Sequence, residues 1–108
     1  MTNQELLELA YAAEFHGAKL SEDKDMQKHW NPLVDDADAF RLMVALKMTA
    51  STWPKENQVS IHFPLNPLND DQGFYKIEPF TDDPCTALRK MIVIGAAAYQ
   101  RMKELRND

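Results

Sequence analysis

Every residue from Met91 to Ala98 is apolar, and the run sits inside a longer segment with helical spacing. A helix that is apolar on all sides has to be enclosed, as when it is pressed into a sheet. This feature obliges the rest of the chain to supply cover. Asp83 and Pro84 predict where the helix starts: an aspartate cap, then proline at the first helical position, where its missing amide costs nothing. Leu88, Met91, Ile92, Gly95, Tyr99 and Met102 form the main stripe. Gly95 and the three alanines after it give a smooth surface that permits close approach. The charged end, Lys103 to Asp108, is expected to fray.

Two further helices and two or three strands are predicted as the cover. The first helix runs from Asn3 to Phe15. Thr2 followed by Glu5 is a capping-box pattern, Leu6, Leu9, Ala10 and Ala13 share one face, and Gly17 is the expected stop. Ala18 to His29 is polar and charged and reads as a loop. Trp30-Asn31-Pro32-Leu33 re-enters ordered structure. A second helix begins at the Asp35-Asp36 pair, with Ala39, Leu42, Met43 and Leu46 on its inner face. Phe40 and Val44 widen that face, so cover on more than one side is expected. Alternation predicts strands at Met48–Trp53, Gln58–Phe63 and Phe74–Glu78, with turns at Pro54–Asn57 and Pro64–Gly73. The last two strands are too closely joined for a helical crossover and should pair antiparallel. The expected fold class is α+β: a small antiparallel sheet of two to three strands packed against three helices, in the manner of an α/β/α sandwich.

The 108 residues match one domain, and 44% of them are hydrophobic, enough for a core without metals or disulfides. Twelve basic residues oppose 17 acidic ones, for a net charge of −5. Nucleic-acid binding ordinarily needs a basic surface, so the balance argues against it and fits a basic protein partner better. One cysteine excludes an internal disulfide. The acidic N-terminus lacks the pattern of a signal peptide, and no run is long and apolar enough for a membrane span. A cytoplasmic location without membrane association is therefore expected.

The candidate chemical groups have structural explanations. Cys85 stands near a helix start, which lowers a thiol pKa, but Asp82 and Asp83 oppose that. His16, His29 and His62 are scattered and lack the spacing of a zinc site. Asp35-Asp36, Asp70-Asp71 and Asp82-Asp83 each sit where a helix start or a turn favours aspartate. There is no glycine-rich phosphate loop and no nucleophile elbow. No catalytic, cofactor or metal residue is assigned, and no cofactor is expected. Trp30 is expected to pack. Trp53, Asp70, Asp71, Glu22 and Asp23 are the candidate partner-binding residues. Arg41, Lys47, Arg89 and Lys90 are the cations placed to meet an anionic small molecule.

Trp30-Asn31-Pro32-Leu33-Val34-Asp35-Asp36-Ala37-Asp38-Ala39-Phe40-Arg41-Leu42 resembles a signature of small tailed-phage and prophage proteins. Their usual form has threonine and glycine where this chain has Val34 and Ala37. Glu5–Ala10 and Asp82–Val93 are similar too, while the match between Met48 and Phe80 is weak. The group is the phage ABA-sandwich domain, with a looser similarity to NinX-like phage proteins. The resemblance implies a sheet with helices on both faces and a phage origin, and little about activity. The expectation is a non-enzymatic phage accessory protein that contacts a host protein or protein complex, in its most concrete form a counter-defence inhibitor of the anti-CRISPR kind. The alternative is a protein that binds or sequesters a small nucleotide signal. An enzyme using Cys85 or paired aspartates, and a homodimer through the alanine-rich helix or the strand edges, are the other readings.

Overall fold

The computed structural model describes residues 1–53, 56–64, 73–79 and 83–106, with Phe63, Pro64, residues 73–78 and Arg106 described by their backbone alone. In chain order the elements are α1 (Asn3–Glu14), a short 3₁₀ turn (Leu20–Glu22), α2 (Lys24–His29), α3 (Asp36–Ala45), β1 (Thr49–Trp53), β2 (Gln58–Pro64), β3 (Gly73–Pro79) and α4 (Pro84–Arg106). The fold class is α+β, as expected.

The helix starts follow from their caps. Glu5 N–H donates to the Thr2 hydroxyl at 3.1 Å, and Thr2 N–H donates back to the Glu5 carboxylate at 3.3 Å. This is the expected capping box, and its bonds from Thr2 hold the Glu5 carboxyl below its usual range. The end of α1 uses two residues: His16 takes the left-handed conformation at φ 57°, and Gly17 N–H then reaches back to Ala12 C=O at 2.7 Å. Such a motif satisfies carbonyls that the helix leaves open. The end of α3 repeats it without glycine, with Lys47 at φ 57° and Met48 N–H on Met43 C=O at 3.0 Å. The chain thereby turns directly from α3 into β1.

α4 is the centre of the molecule. It packs on the sheet, chiefly on β2, and carries α1 and α3 on its other sides. Val59 and Ile61 of β2 are buried beneath it, with Met91, Val93 and Ala96 fully or almost fully enclosed. The order of layers is sheet, α4, then α1 and α3. Among the described residues the main helical contact with the sheet is made by α4, on the face of Val59 and Ile61. On the other face Thr49 and Trp53 are exposed, while Ser60 is buried and accepts from the Trp53 indole N–H.

Both hairpins are antiparallel, and the sheet order is β1-β2-β3. Ser51 pairs with Ser60 and Trp53 with Gln58 across the first hairpin, while Ser60 pairs with Ile77 across the second. The described helices number four, not three. The segment Ala18–His29, read as a loop, contains the 3₁₀ turn and α2. Asp23 caps α2 by accepting from Met26 N–H at 3.1 Å, and the Gln27 side chain donates to Leu20 C=O at 2.9 Å. Local capping holds this short helix together, with no apolar stripe to announce it. The end of α4 reaches Arg106 as helix. Of the Pro54–Asn57 turn, Pro54 and Lys55 lie outside the described residues, as do residues 65–72 of the Pro64–Gly73 turn.

Candidate functional site

The two faces of α3 meet different surroundings. Its inner face, with the loop before it, is fully engaged. Trp30 is 4% exposed and packs edge-on against Tyr11, with ring centroids 5.2 Å apart, and against Phe15. Its indole N–H donates to Glu14 at 3.1 Å. Burial raises the Glu14 carboxyl above its usual 4.5, while the indole bond and the Arg41 charge act in the opposite direction. The Asn31 side chain accepts from Leu33 N–H at 3.1 Å, closing a local turn, and Pro32 is buried. Asp35 caps α3 by accepting from Asp38 N–H at 2.9 Å. Asp38 is 4% exposed and accepts from Asn31 N–H at 2.8 Å and from the Arg41 guanidinium. Leu42 is wholly enclosed. The Trp30–Leu42 segment therefore spells out how the Trp30 loop is fastened to α3. The bonds to Asp38 supply partners to a carboxylate that is otherwise buried.

The outer face of α3 is different. Phe40 is 61% exposed and Val44 56%. The sequence reading placed both under cover, and the structure corrects this: α3 packs on α4 and α1, which leaves Ala39 and Leu42 buried and Met43 partly so, and nothing among the described residues covers the next strip of the helix. Here α3, α4 and β1 bound a groove of about 270 Å³. Asp36, Ala39, Phe40 and Met43 line it from α3, Ala50 from β1, and Cys85, Leu88, Arg89 and Ile92 from α4. Its floor is apolar and its polar groups gather at one end, where both helices begin.

At that end Arg89 ties the helices together. Its Nε donates to Leu33 C=O at 3.0 Å, one terminal nitrogen meets Asp36, and the other donates to the Thr86 hydroxyl at 3.0 Å. Asp83 accepts from the Thr86 hydroxyl at 2.6 Å and from Cys85 N–H at 3.0 Å, and these two bonds hold its carboxyl below the usual range. Asp82 lies outside the described residues. Cys85 is an exposed free thiol at the mouth of the groove.

The sequence-derived partner residues that are described lie on separate elements. Trp53 is 46% exposed on the open face of the sheet, its indole N–H on the Ser60 hydroxyl at 3.2 Å. Glu22 and Asp23 lie in and just after the 3₁₀ turn, which packs against α1 and α2, and Asp23 is occupied as the α2 cap. Asp70 and Asp71 lie outside the described residues. Of the four candidate cations for an anion, Arg41 and Arg89 hold carboxylates of their own chain. His16 and His29 are exposed and His62 is half-buried, on three separate elements or turns. Among the described residues no group of three His, Cys, Asp or Glu side chains is placed to hold a metal ion, and no helix is long and apolar enough to cross a membrane. The groove residues that sequence reasoning missed are Phe40 and Met43 with Ala50, Leu88 and Ile92. Helical spacing marks Phe40 and Met43 as apolar positions of α3 and does not say which strip of the helix is left uncovered.

No known family, no curated protein and no solved structure matches this chain.

Proposed function

We propose that this chain acts without catalysis, by protein–protein contact through the groove between α3, α4 and β1. The observation that carries the reading is the pairing of an apolar groove, lined by the exposed Phe40, with a second exposed apolar side chain, Val44, one turn further along α3. Contiguous exposed apolar surface is uncommon on a chain that works alone and ordinarily marks a contact site. Aromatic anchors near the centre of such a patch carry most of the binding free energy. The similarity of Trp30–Leu42 to a tailed-phage signature supports a phage origin, and with it a host protein or defence complex as the partner.

A small-molecule ligand is less well supported. Clefts for such ligands usually enclose roughly 300–1,000 Å³ and offer a few convergent polar groups. This groove is near the lower limit, and the donors of Arg89 are occupied. The test is a comparison of Phe40→Asp with the wild type as baits in bacterial lysate. Proteins retained by the wild type and lost from the variant, with the variant still folded, support the reading. Identical recovery by both contradicts it.

A further inference from the structure

We infer that β1 is a docking edge: an extended segment of the partner adds to it as a further strand, its alternate large apolar side chains entering the groove and a basic residue meeting the acidic end. The inference rests on the groove being the contact surface and specifies the chemistry of what fills it.

β1 and β3 are the two edges of the sheet. Exposed edges are usually guarded against strand addition by charge or proline. The β3 sequence contains Lys76 and Glu78 and ends on Pro79. β1 reads Thr-Ala-Ser-Thr-Trp and has none of these. It pairs only with β2 among the described residues, and Thr49, Thr52 and Trp53 are exposed.

The groove lies where a further strand would place its inward side chains. Ala50 is the β1 residue that lines it. A strand added beyond β1 would lie about 4.8 Å further out, with its inward side chains on the face of Ala50, which shares the groove with Phe40 and Met43. Its outward side chains would pass beside Trp53 on the open face. Main-chain bonds to the edge supply affinity in such complexes, and pockets for alternate side chains supply specificity.

The occupant follows from size and charge. A second copy pairing β1 with β1 would direct only Ala50 and Thr52 inward, too small to fill about 270 Å³. The segment must instead carry large apolar residues. Asp35, Asp36 and Asp83 flank the end where α3 and α4 begin, and Arg89 offsets one of them. On a chain of net charge −5, a lysine or arginine in the segment complements that end.

The test is selection of a random-peptide display library on the immobilised full chain, followed by amide hydrogen exchange with an enriched peptide. The expected peptides alternate apolar and polar residues and carry Lys or Arg. They slow exchange across Thr49–Trp53, lose binding when proline is placed at their centre, and bind Phe40→Asp more weakly by about tenfold or more. Peptides with apolar residues at helical spacing that require Phe40 and leave β1 exchange unchanged would overturn strand addition while the groove remains the contact surface. Enriched peptides indifferent to Phe40→Asp, or no enrichment at all, would overturn both.

Discussion

The inner and outer faces of α3 come from one ten-residue helix, yet they are built on opposite rules. On the inner face every polar group has a partner: Asp38 holds the Asn31 amide and the Arg41 guanidinium, Asp35 holds the Asp38 amide, and Leu42 and Ala39 fill the core. On the outer face Phe40 and Val44 lie in solvent beside a groove. The difference teaches that a distinctive run of sequence and the exposed surface proposed for contact need not coincide, even when they share a helix. Residues that look most distinctive in Trp30–Leu42 fasten a loop. The residues available for contact are the plain hydrophobic ones between them.

The comparison is broken most forcefully at Trp30. Trp30→Ala removes the ring that Tyr11 and Phe15 pack against and should cost about 3–5 kcal/mol, read from denaturant unfolding. A cost below 1 kcal/mol would show that the loop is not held as described. Asp38→Ala leaves the Asn31 amide and Arg41 without their acceptor, and about 1–3 kcal/mol should be lost. Asp35→Ala removes only the α3 cap, for about 1 kcal/mol.

Glu14 sharpens the contrast through pH. Burial raises its carboxyl above 4.5 in the folded chain, so the folded state holds that proton more tightly than the unfolded state. Its contribution to stability is complete below 4.5 and is lost as pH climbs through the raised value. Glu14→Gln keeps an acceptor for the Trp30 indole without the charge. Its stability relative to wild type should therefore improve as pH rises from below 4.5 to neutral, a trend that urea midpoints at each pH would reveal. A difference independent of pH would place the carboxyl in water.

Much of this architecture is legible in the residues. Thr2 with Glu5 and Asp83 with Pro84 mark helix starts because capping is a local interaction, complete within a few residues. Alternation in Thr49–Trp53 and Gln58–Phe63 identifies strands because the pleat is local too. The short α2 was hidden, since its Asp23 cap and Gln27 bond work without any apolar period. The groove was hidden for another reason. Phe40 and Val44 obey helical spacing, and spacing alone does not distinguish a face that is covered from one left over. What decides is how many neighbours the fold supplies, and with the layers in the order sheet, α4, then α1 and α3, the outer strip of α3 receives none among the described residues. Of the partner residues read from charge and exposure, Trp53 belongs to the proposed docking edge itself.

Thermal unfolding of Asp38→Ala and Phe40→Asp, side by side with wild type, tests the division of α3 most directly. Each kcal/mol lost should lower the melting temperature of a domain this size by roughly 4–8 °C. The account predicts a drop of at least that size for Asp38→Ala, and for Phe40→Asp a change within about 0.5 kcal/mol of none. If Phe40→Asp melts as early as Asp38→Ala, the outer face belongs to the core and the division is wrong.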